Sequence, residues 1–253
     1  MRDYRCFYPG PLEHGATVEL SRDEAAHLVK VRRLKSGGEV TVLNGQGAVA
    51  EARLAESDRR DVSLEIGDVL QAPRSPALAL AMALTKSNAF DDTLQRAVEL
   101  GMTHFFPVQA ERSVVQLDEK KTAHRLDRWQ RLSIEALKQC ERPWLPEFSN
   151  PSPLEALLAT LHDSSFVPVV LAERREDSAP PLLDVLGATS GRPVCLLIGP
   201  EGGWTPQELE RLEKGAVRFA TLGTAVLRSE TSALAALGTT LAHQLSGRDK
   251  SPD

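Results

Sequence analysis

After residue 76 the chain alternates between short apolar runs and segments with helical periodicity, and this alternation restricts the possible folds more than any other feature. The predicted strands lie at 78–84, 104–109, 166–171, 194–198 and 217–222, and the predicted helices at 91–100, at 124–140, from Ser152-Pro153 (with a cap and a first-turn proline), from Thr205 (with Glu208 completing a capping box) and at 230–245. Strands that alternate with helices form a mostly parallel sheet covered on both faces. We therefore predict an α/β domain over residues 73–253.

The first 72 residues have a different pattern. Short alternating or branched runs are separated by turn signals, and Asn44-Gly45 is typical of a hairpin because both residues tolerate positive φ. One helix is predicted from its cap at Ser21 to about Val31, with Glu24 completing a capping box. A proline-containing linker follows at 71–76. These features predict a small β-barrel over residues 1–72.

The composition fits a globular protein that functions without metal or membrane. Apolar residues make up 42% of the chain, and the net charge of −5 argues against indiscriminate binding to nucleic acid. Cys6, Cys140 and Cys195 form no C-x-x-C pair, so neither a disulfide framework nor a zinc site is expected. The longest apolar run, 77–84, is too short to cross a bilayer, and no signal-peptide pattern is visible. We expect a cytoplasmic protein.

A glycine-rich turn follows the predicted strand at 194–198. It is Gly199-Pro-Glu-Gly-Gly-Trp204, and a helix begins directly after it. Glycines between a strand and a helix let a ligand reach backbone N–H and C=O groups, and ligands of α/β proteins bind at the carboxyl ends of the strands. The turn is neither a P-loop nor a G-x-G-x-x-G motif. It is a candidate binding loop, although a purely structural role fits it as well.

A second polar segment follows the last predicted strand. The sequence Leu222-Gly-Thr-Ala-Val-Leu-Arg-Ser-Glu-Thr-Ser-Ala233 places Arg228 directly before an apolar helix. Ser229 and Glu230 also fit simple capping of that helix. A cation at a helix N-terminus is disfavoured by the helix dipole, so Arg228 calls for an anionic or polar partner.

Together these two motifs resemble the signature of the SPOUT superfamily of RNA methyltransferases. More narrowly, they resemble the RsmE family, which methylates N3 of a uridine in small-subunit (16S) ribosomal RNA. The resemblance covers nearly the whole chain. Other segments similar to the family's motifs are Arg5-Cys-Phe-Tyr8, His27 to Arg33, Gln95 to Gly101, Glu111-Arg-Ser113 and Arg128 to Leu132.

Two segments depart from the family's pattern. Lys86-Ser-Asn-Ala89 keeps the first lysine of the family's motif and lacks the second. In Lys138-Gln-Cys-Glu-Arg142, Glu141 replaces a glycine, and this replacement disfavours a tight turn there.

The resemblance implies a trefoil-knotted C-terminal domain and a PUA-like N-terminal barrel. It also implies a homodimer in which the partner completes each site, and S-adenosylmethionine (SAM) held by the loops of the knot. The cofactor-binding residues that it implies are Leu197, Ile198, Gly199, Gly202, Gly203, Leu222, Gly223, Val226, Leu227, Ser229, Thr231 and Ala233.

The implied reaction assigns roles to two charged residues of the second motif. Uracil N3 must lose its proton, and the resulting anion spreads its charge onto O2 and O4. A fixed donor aimed at such a charge lowers the barrier by about 3 kcal/mol, and we assign this role to Arg228. Glu230 is the candidate base and Glu201 an alternative, although both also fit a structural role in holding loop N–H groups.

Two segments rich in Lys and Arg, 22–35 and 112–142, contrast with the acidic average of the chain. Local basic patches on an acidic protein fit the reading of one structured RNA, here 16S ribosomal RNA within the small subunit. The RNA-binding candidates are Arg5, Lys30, Arg32, Arg33, Lys86, Arg112, Gln139 and Arg142.

A first prediction concerns Arg32 and Arg33. Neutralising both should weaken RNA binding and reduce the slope of log affinity against log salt by about one per lost phosphate contact. Binding titrations at several salt concentrations measure this slope. An unchanged slope would remove these two residues from the RNA-binding surface.

Three other functions remain open on the sequence. A SPOUT enzyme that methylates a ribose 2′-hydroxyl shares the glycine loop, but Lys86-Ser-Asn88 matches its Asn-containing motif poorly. A catalytically silent assembly factor that binds RNA fits the scaffold, but the two intact motifs argue against it. A nicotinamide dehydrogenase fits the α/β pattern and not the motifs.

Overall fold

The structure is a computed structural model that describes residues 4–31, 34–55, 62–85, 88–113, 118–171 and 179–248. The chain divides into two compact units. The first comprises Met1–Arg74 and Ile134–Leu145, and the second comprises Ser75–Ser133 and Pro146–Asp253. The domain boundary predicted after residue 72 lies two positions before the division at Arg74. The prediction placed residues 134–145 in the C-terminal domain, whereas in the structure they belong to the first unit.

The first unit is a five-stranded sheet with one short helix. Its elements are β1 (Arg5–Phe7), β2 (Thr17–Glu19), α1 (Arg22–Ala26), β3 (Glu39–Leu43), β4 (Ala48–Leu54) and β5 (Ser63–Gln71). The strand order is β1-β3-β4-β5-β2, and the pairs are antiparallel except for β1 with β3. Alternate side chains of β4 are buried, as expected for a sheet with one face on the core. The predicted hairpin is confirmed: the Asn44 side-chain oxygen accepts hydrogen bonds from the N–H groups of Gln46 and Ala48.

The helix predicted at 21–31 is only partly α-helical. Ser21 caps α1 as predicted by accepting a hydrogen bond from the Glu24 N–H, but after Ala26 the chain continues as a π-helical turn, His27–Val31. The capping box is wrong in its second half, because the Glu24 carboxylate is engaged elsewhere. It accepts from the N–H of Phe7 at 3.1 Å and from Nζ of Lys138 at 2.7 Å.

Lys138 is a buried cation within the first unit. Its ammonium donates to Glu24 and, at 2.9 Å, to Glu135. Burial alone lowers the pKa of Lys138, but the hydrogen bonds to the two carboxylates outweigh this effect and raise the pKa above its ordinary value. The stabilisation is therefore fully present at neutral pH and is lost only as the pH rises through this raised pKa.

Replacing Lys138 with methionine is expected to destabilise the first unit by about 2–3 kcal/mol, because the buried Glu24 carboxylate loses a charged partner. Hydrogen exchange of the β3, β4 and β5 amides measures this loss. The matched control is Lys121→Met on the same helix, where the ion pair with Asp118 is exposed and screened by solvent, so its loss should have a much smaller effect. Equal effects of the two changes would contradict the prediction.

Residues 143–145 also pack within the first unit, against its β3–β4 hairpin and linker. The Gly47 N–H donates to the Pro143 carbonyl, and the Leu145 N–H donates to the Gly45 carbonyl. The Trp144 indole N–H donates to two linker carbonyls, and the Arg74 guanidinium lies 4.5 Å from the centre of its ring. The sheet of the first unit is therefore completed by a segment that is distant in sequence.

The second unit is a parallel sheet with helices between its strands. Its elements are β6 (Leu78–Ala83), α2 (Asn88–Glu99), β7 (His104–Gln109), α3 (Glu119–Cys140, which continues into the first unit), β8 (Glu147–Phe148), β9 (Ser152–Pro153), α4 (Leu154–His162), β10 (Val167–Leu171), α5 (Leu182–Gly187), β11 (Val194–Ile198), α6 (Pro206–Lys214), β12 (Arg218–Ala220) and α7 (Ser229–Arg248). The strand order is β12-β10-β11-β6-β7-β8, and every pair is parallel.

The predicted α/β class is confirmed, with some corrections. Helix α3 begins at Glu119, five residues before the predicted start at 124. The cap and first-turn proline predicted for α4 are wrong, because Ser152 and Pro153 pair with β7 and Pro153 is itself the N-cap, without a side-chain hydrogen bond. The edge strand β12 is shorter than predicted. The short elements β1, β8 and α5 were missed because two to six residues carry too little periodicity.

The central strands β6 and β11 are entirely buried, as their continuous apolar sequences predicted. Among the described residues, no helix has both the length and the apolar character needed to cross a membrane. Parallel pairing places the residues that follow β6, β7, β11 and β12 at one edge of the sheet. Both sequence motifs lie at this edge.

Candidate active site

The first loop of the site follows β11. Gly199 leaves the sheet, and a turn closes with a 2.8 Å hydrogen bond from the Gly203 N–H to the Pro200 carbonyl. Gly203 has φ 69°, in the left-handed region that favours glycine. The loop ends at the predicted capping box of α6, which is confirmed: the Thr205 hydroxyl accepts from the Glu208 N–H, and the Glu208 carboxylate accepts from the Thr205 N–H. We call Gly199–Gly203 the glycine loop.

The second loop follows β12 and leads into α7. The Thr221 hydroxyl accepts from the Gly223 N–H at 3.1 Å and donates to the Gly223 carbonyl at 2.8 Å. Gly223 has φ 134°, and a Cβ there would meet nothing within 4 Å. The backbone of this loop is therefore open to a ligand on that side. We call residues 221–228 the Arg228 loop.

The two loops are joined directly. The Ser229 hydroxyl, in a residue only 3% exposed, donates a 3.0 Å hydrogen bond to the Gly199 carbonyl. Two segments thirty residues apart therefore meet at the carboxyl edge of the sheet. Ser229 is a predicted cofactor ligand, but its hydroxyl is committed to this link between the loops.

Arg228 and Glu230, the predicted catalytic residues, lie on either side of Ser229. Arg228 is exposed and Glu230 half-buried. The Arg228 carbonyl accepts from the Ser232 N–H, so Arg228 stands at the N-terminus of α7. Among the described residues, the Arg228 side chain has no hydrogen-bond or ion-pair partner that would balance the positive end of the helix dipole. Its catalytic role stays a prediction.

The other predicted cofactor residues divide by burial. Leu197, Ile198 and Ala233 have buried side chains, so only their backbone is available to a ligand, and the same holds for buried Gly199. Gly203, Leu222 and Leu227 are half-buried, whereas the exposed members are Gly202, Gly223, Val226 and Thr231. The site therefore offers backbone groups and apolar side chains, which suits a nucleoside more than a metal.

The predicted RNA-binding residues are described unevenly. Arg32, Arg33, Lys86 and the side chain of Lys30 lie outside the described residues. Arg5 forms an ion pair with Glu141, and Gln139 is exposed. Burial lowers the pKa of the half-buried Arg142 guanidinium. Arg112 donates a 2.6 Å hydrogen bond to the Gly202 carbonyl.

Glu141, which replaces the family's glycine, still forms the tight turn that a non-glycine residue disfavours. Glu141 directly follows the end of α3 with φ 59°, the left-handed conformation in which glycine commonly ends a helix. A residue with a Cβ adopts it at a cost of about 1–2 kcal/mol. The ion pair with Arg5 holds the Glu141 side chain in place.

Sequence reasoning did not assign a role at the site to Glu111 or Arg211. Glu111 belongs to a segment that resembles a family motif, and Thr205 and Glu208 were predicted as caps, but nothing in the sequence links these residues to one another. In the structure, the Thr205 hydroxyl donates to the Glu111 carboxylate, and Arg211 forms an ion pair with it.

Comparison with known proteins identifies the class. The sequence model of an RNA methyltransferase domain matches residues 73–241, and that of an RNA methyltransferase PUA domain matches residues 20–67. These matches place the chain among the RNA methyltransferases that carry an N-terminal PUA domain.

The chain belongs to the RsmE family within that class. It is 31% identical to ribosomal RNA small subunit methyltransferase E of Synechocystis over 88% of this chain and 72% of the relative. It is 28% identical to the Bacillus subtilis enzyme of the same name, over 89% and 90%. The crystal structure of ribosomal RNA small subunit methyltransferase E from Neisseria gonorrhoeae bound to SAM superposes with a TM-score of 0.83 at 30% identity, covering 94% of this chain and 97% of that one. The resemblance noted in the sequence is confirmed.

Proposed function

We propose that this protein transfers a methyl group from SAM to N3 of a uridine in 16S ribosomal RNA. The observation that carries the proposal is the hydrogen bond from Ser229 to the Gly199 carbonyl, because it brings the glycine loop and the Arg228 loop into one site. Relatives that match most of the chain are named ribosomal RNA small subunit methyltransferase E, and this supports ribosomal RNA as the substrate class. The relative solved with bound SAM supports the cofactor.

The residues of the two loops fit SAM. Gly223 leaves its backbone open, and the apolar side chains of Leu222, Val226 and Leu227 are at least partly accessible beside it. Apolar surface suits the faces of an adenine ring, and exposed backbone N–H and C=O groups suit its edges and the ribose. Bound there, SAM supplies an electrophilic methyl group on its sulfonium, so no metal is required for the transfer.

Arg228 is the residue that we assign to charge stabilisation. Its guanidinium is exposed at the N-terminus of α7 and keeps five N–H donors for the O2 or O4 of a uracil anion. An anion in front of the helix N-terminus would also offset the unfavourable interaction between Arg228 and the helix dipole. Glu230 remains the candidate base, with Glu201 as the alternative.

The PUA-like barrel and a second copy of the chain complete the proposed assembly. We assign RNA binding outside the methyl-transfer site to the barrel and its basic residues. We propose a homodimer because the family resemblance implies one. A cytoplasmic location follows from ribosomal RNA as the substrate.

The test combines cofactor binding with mass mapping. Calorimetry with SAM should show binding by the purified protein. Ribosomal RNA from cells lacking the gene should lose one uridine methylation, which complementation restores. A missing methyl group on a ribose would instead identify a 2′-O-methyltransferase, and SAM binding without any lost methylation would indicate an assembly factor.

A further inference from the structure

We propose that Arg112, with the adjacent Glu111, is a positioning residue that holds the glycine loop in the shape that binds the cofactor. This inference rests on the proposed function and adds residues of a third loop, the one after β7, to the site. It also changes the role of Arg112, which the sequence assigned to RNA.

The sheet brings the third loop to the same edge as the other two. Strand β7 ends at Gln109 and pairs with β6, which pairs in turn with β11. The strands are parallel, so Glu111 and the glycine loop leave the sheet at its carboxyl edge. All three loops and the start of α6 belong to the second unit.

Glu111 is fastened to the start of α6 by both its backbone and its side chain. Its N–H donates to the buried Glu208 carboxylate at 2.9 Å. Its own carboxylate accepts from the Thr205 hydroxyl and from Arg211, each at 2.9 Å. The Thr205 hydroxyl is therefore both an acceptor, from the Glu208 N–H, and a donor, to the Glu111 carboxylate.

The charge of Glu111 is part of this arrangement. The hydrogen bond from Thr205 and then that from Arg211 lower the pKa of the Glu111 carboxyl below its ordinary value. A lowered pKa favours the ionised form, so these contacts are complete at neutral pH and weaken only in acid, as the pH falls through the lowered pKa.

Arg112 acts on the glycine loop itself. Its guanidinium donates a 2.6 Å hydrogen bond to the Gly202 carbonyl. The next N–H, that of Gly203, donates to the Pro200 carbonyl. The C=O and N–H of one peptide unit point in opposite directions, so the peptide between Gly202 and Gly203 is fixed on both sides.

Three carbonyls of the glycine loop are therefore held by hydrogen bonds. The carbonyl of Gly199 accepts from Ser229, that of Pro200 from Gly203, and that of Gly202 from Arg112. Glycine residues lose more conformational entropy on ordering than any other residue. Contacts that order the loop in advance reduce the entropy that cofactor binding must overcome.

The two roles of Arg112 predict different results. We expect Arg112→Ala to raise the Kd and KM for SAM about tenfold, the cost of about one charge-assisted hydrogen bond, with kcat within about threefold of the wild type. The affinity for 16S RNA in the absence of SAM, and its salt dependence, should not change. Arg112→Lys should recover part of the SAM affinity, because an ammonium can donate to the Gly202 carbonyl.

The experiment measures SAM binding by calorimetry, steady-state kinetics, RNA binding across salt concentrations and the melting temperature. Lys214→Ala is the matched control, since it removes an exposed cation of the same unit whose partner is Glu210. It should leave every readout unchanged.

Four outcomes would overturn the inference. Unchanged SAM affinity with a salt slope reduced by about one would make Arg112 a phosphate contact. A lower melting temperature with unchanged SAM affinity would make its role purely structural. A wild-type protein that binds no SAM would refute the proposed function together with the inference, whereas wild-type binding with an unaffected Arg112→Ala would refute the inference alone.

Discussion

Replacing Arg228 with alanine is expected to lower kcat for methyl transfer about 10²–10³-fold, while the Kd for SAM stays within about threefold of the wild type. The reason is the position of the guanidinium at the N-terminus of α7, exposed and without a partner among the described residues. A group that stabilises a charge present only during the reaction should lower the free energy of the transition state far more than that of the bound cofactor.

Single-turnover transfer to 16S RNA measures the chemical step, and calorimetry measures SAM affinity. Arg228→Lys keeps the charge but not the planar donor geometry, so it should retain part of the activity. The melting temperature should not fall, because the guanidinium holds no described part of the fold. Unimpaired turnover by Arg228→Ala would refute its assignment.

Replacing Gly203 with valine is expected to weaken SAM binding by at least about 100-fold, or about 2.8 kcal/mol. Valine would place a branched side chain on the loop where we expect the cofactor to approach the backbone. Gly203 also has φ 69°, a conformation that a β-branched residue rarely adopts. The substitution therefore combines a steric effect with backbone strain.

Two further variants separate the strain from the steric effect. Gly191 has φ 74°, and a Cβ there would meet nothing within 4 Å. Gly191→Val therefore imposes similar strain away from the site and should leave SAM affinity unchanged. Gly203→Asn accepts the left-handed conformation but still adds a side chain, so it should lose SAM binding with little loss of stability. If calorimetry gave Gly203→Val the same SAM affinity as the wild type, close approach of the cofactor at this glycine would be excluded.

The sequence predicted what depends on neighbours along the chain. The capping box of α6 needs only Thr205 and Glu208, three residues apart, and the structure confirms it. Continuous apolar runs predicted buried parallel strands, because only a sheet covered on both faces buries consecutive residues. The resemblance predicted that two loops share one site, and the Ser229 hydrogen bond joins these two loops in the structure.

The sequence could not predict contacts between distant polar residues. The pattern at Ser21 and Glu24 is as good a capping box as the one in α6, yet the Glu24 carboxylate binds Phe7 and Lys138 instead. A buried ammonium is a stronger partner for a carboxylate than a backbone N–H at a helix end, and its location depends on the tertiary fold. The same reasoning applies to Arg112. Its charge led to the prediction that it binds RNA, but in the structure its guanidinium donates to the Gly202 carbonyl.

The position of residues 134–145 has a practical consequence for experiments that dissect this enzyme. A fragment that stops after the linker would contain Glu24 without its ammonium partner and the β3–β4 hairpin without the backbone of Pro143 and Leu145. Such a fragment would be less stable than the intact unit, so any RNA affinity measured on the fragment would not represent the intact unit. Chimaeras between relatives should exchange the last turns of α3 together with the N-terminal sheet, because the gene encodes this structural module in two separate pieces.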